Sequence, residues 1–235
     1  MTVLTPGELD AIGLSLRVAA WSVAASLPLA IAAAWLLARR EFPGKTLFDA
    51  LVHLPLVLPP VVVGYFLLLG FGRQGPLGML LESCCGVVFA FRWTGAALAC
   101  AVMGFPLMVR ALRLSLEAID PGLESAARTL GAGPFAVFFS VTLPLAAPGV
   151  ITGMLLSFAR SLGVFGATIT CVSNIPGETR TLPIAIYAYT HVPGGDAQAL
   201  RLSLVAVALS IAALFFSEVL ARRARERVRG ADASR

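Results

Sequence analysis

The sequence predicts an all-α polytopic membrane protein: one domain over residues 1–235, with about five transmembrane helices and one short helix on the cytoplasmic face. Three observations carry this. Of 235 residues, 58% are hydrophobic and 13% charged, with a mean hydropathy of +0.86; a soluble domain is nearer 25% charged. Five apolar segments approach or exceed the ~20 residues that a bilayer core of ~30 Å requires. One stretch, Leu123 to Gly149, departs from the pattern with charges, three glycines and three prolines.

The first span is expected at about 12–37. The second, at 47–71, contains "LPLVLPPVVVGYFLLLG". Its prolines Pro55, Pro59 and Pro60 remove backbone donors. They leave two readings open, a bent helix beside a transport path or a static kink. The third span is expected at 94–112, the fourth at 148–171 and the fifth at 200–220. The apolar run bracketed by Glu82 and Arg92 is too short to cross.

Charge sets the orientation. The chain holds 18 Lys+Arg against 13 Asp+Glu. With the N-terminus outside, the inner segments are 38–46, 110–147 and the tail. They carry Arg39, Arg40, Lys45, Arg110, Arg113, Arg128 and six tail arginines (Arg222, Arg223, Arg225, Arg227, Arg229, Arg235), and six cations remain elsewhere. The excess predicts N-out and C-in. Basicity of this kind marks a membrane-proximal tail, not a nucleic-acid surface. Glu8 and Asp10 precede the first span where a signal peptide would carry cations, so none is expected. Cys84, Cys85, Cys100 and Cys171 show no ligand spacing and read as small buried residues. His53 reads as a packing residue.

The interior loop, about 113–147, contains a helix of its own. Asp120-Pro121 supplies an N-cap and an N1 proline. Gly131 and Pro134 supply the stop. Leu123, Ala126, Ala127 and Leu130 make one apolar stripe, and Glu124 and Arg128 are spaced as an i,i+4 pair. So short a helix is marginal alone and requires a partner. The alanine-rich stripe suits a narrow cleft in another protein; a simple connecting helix is the alternative.

Ala126, Ala127, Gly131 and Leu143-Pro144 resemble the cytoplasmic signature loop of ABC-importer permeases, with Glu124 one residue before the usual acidic position, which Ser125 occupies. "HLPLVLPPVVVGY", "GFPLMVRALRLSLEAID" and "FARSLGVFGATITCVSNIPGETRTLPIAIY" extend the likeness over nearly the whole chain, toward the molybdate permeases, with sulfate permeases as the nearest alternative. The resemblance implies a type I importer fold. It makes residues 124–132 (Glu124, Ser125, Ala126, Ala127, Arg128, Thr129, Leu130, Gly131, Ala132) a coupling helix docked on an ATPase. Its implied partners are a second permease copy, two ATPase subunits, an external oxyanion-binding protein and the bilayer of a bacterial inner membrane. No phosphate-binding loop pattern occurs in the chain, so ATP and its Mg would sit on the ATPase and this chain would hold no cofactor or metal.

Pro59, Pro60, Arg160, Ser161, Thr168, Thr170, Ser173 and Asn174 are candidates for the translocation path. Arg160 falls inside a span, where an unpaired charge costs ~2.5–3.5 kcal/mol; attraction of a divalent oxyanion and a structural partner both remain open. The hydroxyls could bind an oxyanion or bond back to their own helices. Gly149, Gly153, Ser157 and Ser161 form a small-xxx-small stripe that suits either a pore wall or packing within the subunit. Residues 172–198 are expected outside, with a re-entrant or surface helix near 184–189. An intramembrane enzyme would need a catalytic pair within the spans, which hold no lysine and no paired acids. An ion-coupled carrier would show internal repeats. Both classes are disfavoured.

Overall fold

The computed structural model describes residues 4–233, and every regular element among them is helical. The first helix, α1 (Pro6–Arg39), begins ahead of the expected span because Thr5 and Glu8 form a capping box. Thr5 accepts from the Glu8 backbone N–H, and the Glu8 carboxylate accepts from the Thr5 N–H at 2.6 Å. Its 34 residues reach ~51 Å, more than the ~30 Å hydrocarbon core.

The second expected span is not one rod. It divides into α2 (Lys45–Val57) and α3 (Pro60–Phe71), with a bend of 113° between them. Pro55 lies inside α2 without breaking it. The break falls at Leu58 and Pro59, with ψ of 143° and 132°. A residue before proline is driven out of the helical region, and the tandem Pro59-Pro60 imposes this twice in succession.

The ten-residue α4 (Pro76–Cys85) leads to the central α5 (Trp93–Glu117), then to α6 (Pro121–Thr129). A one-turn α7 (Pro134–Val137), a π-turn at Phe138–Thr142 and α8 (Leu143–Leu145) follow. The fourth expected span also divides: α9 (Ala147–Leu162) stops, and α10 (Gly166–Val172) resumes after three residues. The outer segment forms α11 (Leu182–Thr190), and α12 (Asp196–Ala233) ends the fold. Three helices are long and apolar enough to cross a membrane, at Pro6–Arg39, Trp93–Glu117 and Asp196–Leu220. Two bent pairs, 45–71 and 134–162, bring the total to as many as five. Arg235 and the side chains of Arg225, Arg227 and Arg229 lie outside the described residues; Arg222 and Arg223 are exposed.

The core is a seam of small residues among α1, α5 and α9. A methyl group on Gly153 would press on the Met108 carbonyl at 3.1 Å, and one on Gly149 would meet Ser115 and the Ala111 carbonyl. The small-xxx-small stripe of α9 therefore faces α5 within the subunit. Ser161 sits in the same seam, its hydroxyl 3.0 Å from that of Ser22 on α1. Outside the seam, α12 exposes Leu200, Leu204, Val207, Ile211, Leu214, Phe215 and Phe216, the pattern of a surface in contact with lipid or another subunit. Cys100 and Cys171 are buried as expected, but Cys84 on α4 is exposed; the Cys85 side chain lies outside the described residues.

Ion pairs define the two ends. At one, Arg39 binds Glu124 and Arg113 binds Asp49, gathering the end of α1, the start of α2, the end of α5 and α6. At the other, the fully buried Glu8 binds Arg201 at 3.0 Å, and the Ser15 hydroxyl accepts from the Leu182 N–H.

Candidate functional site

The helix α6 is set by local chemistry. Asp120 has extended backbone, and its Oδ1 accepts from the Gly122 N–H at 2.8 Å. At the other end Gly131 takes φ of +88°, which lets the Gly131 and Ala132 N–H groups close on the Arg128 and Ala127 carbonyls. Pro134 then opens α7 in a new direction. No residue of α6 is buried. Leu123, Ser125, Ala126, Arg128, Thr129, Leu130 and Gly131 are exposed, while Glu124, Ala127 and Ala132 are half-buried. Leu130 is 88% exposed. Burying such a leucine contributes roughly 1.5–3 kcal/mol, and the apolar stripe is uncovered on the single chain.

Glu124 holds this uncovered helix in place. Its Oε1 lies 3.0 Å from Arg39 Nη2, with side chains 13% and 14% exposed, and accepts from Thr142 Oγ1 at 3.0 Å. Arg39 also donates to the Ile119 carbonyl at 3.4 Å. One carboxylate thereby joins the end of α1, α6 and the π-turn. The ion pair at Glu124 is with Arg39, not with Arg128 as the i,i+4 spacing suggests. An exposed i,i+4 pair contributes only about 0.3–0.5 kcal/mol, whereas a part-buried pair on a helix end operates in a lower dielectric. Ser125, at the usual acidic position of the signature loop, faces outward and donates to the Pro121 carbonyl.

A second feature lies within the membrane domain. The α2/α3 break and the α9/α10 break adjoin: a methyl group on Gly166 would meet Pro60 Cβ at 3.1 Å and the Val61 backbone N at 3.3 Å. Beside them α3 and α10 touch through backbone, since a methyl group on Gly64 would lie 2.5 Å from the Ala167 carbonyl oxygen. Irregular backbone at membrane depth persists only where protein buries it or water lines it. Pro59, Pro60 and Gly163 are exposed on the single chain. Arg160 is half-buried just before the second break; its carbonyl accepts from the Gly163 N–H, and no hydrogen bond or ion pair reaches its guanidinium among the described residues. The hydroxyls are occupied: Ser161 donates to Ser157, Thr168 to Val164 and Phe165, and Thr170 to Gly166, all backbone carbonyls.

Ser173 and Asn174 stand apart from the breaks, in the turn after α10. Ser173 has φ of +64° and ψ of −158°, a region sparsely used by non-glycine residues. Thr179 fixes it, accepting from Ile175 N–H and donating to the Ser173 carbonyl, while Arg180 Nε donates to Asn174 at 2.7 Å.

A cleft of about 750 Å³ extends from the α6 region toward the second feature. It runs between α5 and α9 from Asp120 and Leu123, past Arg110 and Thr152, to Leu156, one helical turn short of Arg160. Arg110 is exposed, and its guanidinium has no hydrogen-bonding or ion-pair partner among the described residues. Arg39 and Thr142 were invisible as site residues in the sequence; their roles arise from contacts distant in the chain. Of the two arginines, Arg160 had a signal in the sequence, a charge inside an apolar span, whereas Arg110, which lines the cleft, had none as a site residue.

The family described as binding-protein-dependent transport system inner membrane component matches residues 26–226. The molybdenum transport system permease protein ModB of Escherichia coli K12 is 59% identical over 96% of this chain and 98% of its own length. ModB of Haemophilus influenzae is 56% identical over 94% of this chain and 96% of its own length. Among solved structures, a bacterial alginate ABC transporter in complex with an alginate pentasaccharide-bound periplasmic protein superposes with a TM-score of 0.72 at 17% identity. The match covers 93% of this chain and 80% of the other, and shows a shared fold.

Proposed function

Because the chain belongs to the family of binding-protein-dependent transport system inner membrane components, we propose that it is the membrane pore subunit of an ATP-driven molybdate importer. It is a transport subunit and not an enzyme. The observation that carries the mechanism is the uncovered apolar face of α6, anchored from behind by Glu124. An ATPase subunit docks on that face. Movement of α6 passes through Glu124 to α1 and the π-turn, and through them to the bundle.

Two ATPase subunits require two such helices, so a two-fold pair of these chains is the simplest assembly. The N-terminus lies outside and the α6 end inside, in keeping with Arg39, Arg40, Lys45, Arg113 and Arg128 at that end. The path follows the cleft between α5 and α9 to the adjoining helix breaks. Arg110 and Arg160 draw the dianion along it without enclosing it. Tungstate shares the size and charge of molybdate and takes the same route. A periplasmic binding protein delivers the anion to the outer face formed by α11 and the 173–180 turn.

Uptake of labelled molybdate in cells lacking their own permease tests the assignment. Uptake is expected to survive a modest excess of sulfate and to fall with equal tungstate. Abolition by sulfate would instead make the chain a sulfate permease on the same fold.

A further inference from the structure

A second cleft, of about 410 Å³, lies between the end of α1 and the outer side of α6. Its walls are Trp35, Arg39, Arg40, Glu124, Ser125 and Arg128, with Ala38 and Pro121 completing them. Three arginines and one glutamate line it, and that carboxylate is already committed to Arg39 and Thr142. The Arg128 guanidinium has no hydrogen-bonding or ion-pair partner among the described residues. The Arg40 guanidinium lies 5.4 Å from the centroid of the Trp35 ring, which orients it without neutralising it. Arg39 Nε is buried and has no acceptor. An unsatisfied buried donor is costly, and here it borders a concave space with an excess of positive charge. Such a space suits an anion with several acceptor oxygens.

We propose that this cleft binds a phosphate-type tetrahedral oxyanion, clamped by Arg39, Arg40 and Arg128 between α1 and the coupling helix. Two sources share that chemistry, the headgroup of an anionic phospholipid and a free inorganic oxyanion. Trp35 and the basic end of α1 match the residues that settle at a membrane interface, and basic residues there attract anionic headgroups. In either case the anion bridges α1 to α6 beside the Glu124 pair, so occupancy stiffens the link that docking moves. The site is distinct from the transport cleft between α5 and α9. The lipid source rests on the orientation proposed above; the free-anion source does not.

Native mass spectrometry of the purified full-length chain tests this, with no transport readout. Delipidated protein is titrated in one arm with phosphatidylglycerol against phosphatidylcholine, and in the other with inorganic phosphate and molybdate. The expected result is a tightly retained phosphatidylglycerol, with affinity falling about fivefold for each of Arg40→Gln and Arg128→Gln. Arg40→Lys should largely restore it, and Arg73→Gln, remote in the fold, should leave it unchanged. Tight binding of inorganic anion with the same arginine dependence, and no lipid preference, identifies the free-anion source. If wild type binds neither probe more tightly than the Arg40→Gln, Arg128→Gln double variant, the proposal is overturned. Arg40 is exposed, so its replacement leaves the fold intact as the comparison requires.

Discussion

Replacing Glu124 with glutamine preserves the size of the side chain and removes its charge. At 3.0 Å from Arg39, the pair attracts by about 5.5 kcal/mol before desolvation at an effective dielectric of ~20. The side chains are about one-seventh exposed. The net value therefore falls between an exposed pair, near 0.5 kcal/mol, and the 3–5 kcal/mol lost when a fully buried pair is broken. We take about 1.5 kcal/mol, roughly tenfold in an equilibrium constant. If α6 must be held in place to dock, that loss appears in ATPase affinity. Titration of the partner ATPase onto nanodisc-embedded permease should give a Kd about tenfold weaker for Glu124→Gln, and about the same for Arg39→Gln. The double variant should be no worse than either single one, because each removes the same interaction. Glu124→Gln docking as wild type, or two losses that multiply to a hundredfold, would refute the reasoning.

Gly131→Val should weaken docking with the bundle intact. Nothing lies within 4 Å of the added carbon, but φ of +88° penalises a branched residue by at least ~1–2 kcal/mol; Gly131→Asn should be milder on the same titration. Gly64→Ala forces backbone of α3 away from backbone of α10, because the methyl would lie 2.9 Å from Ala167 Cα; we expect about 1–3 kcal/mol of destabilisation, read as a lower thermal midpoint in detergent. Arg160→Gln should reduce the maximal rate of molybdate uptake several-fold and leave ATPase binding untouched; wild-type uptake would remove Arg160 from the path.

What was legible in the sequence was local. Asp120-Pro121 and Gly131 with Pro134 delimit α6 because capping uses only neighbouring residues. The first helix began earlier than hydropathy suggests because Thr5 and Glu8 cap it, a pairing that a hydropathy window does not register. Proline alone did not locate the breaks. Pro28, Pro55 and Pro106 all lie inside continuous helices, and only the tandem Pro59-Pro60 made two successive residues extended. The α9/α10 break has no proline at all, only Gly163 and a close approach to Pro60 and Val61. The partner of Glu124 was hidden for the same reason. Arg128 is near in sequence, but Arg39 is brought in by the packing of α1 on α5 and gains from partial burial. The hydroxyls Ser161, Thr168 and Thr170 read equally as ligands or as back-bonded residues until their carbonyl partners were seen.

The measurement closest to the central claim is site-specific photocrosslinking from α6 in the assembled transporter. A photoreactive phenylalanine analogue at Leu130, the most exposed apolar position on the stripe, should link predominantly to the ATPase, and the same probe at Leu204 on α12 should not. A Leu130 probe that reacts only with lipid or with a second permease copy, while the ATPase remains bound, would contradict the claim that α6 is the docking element.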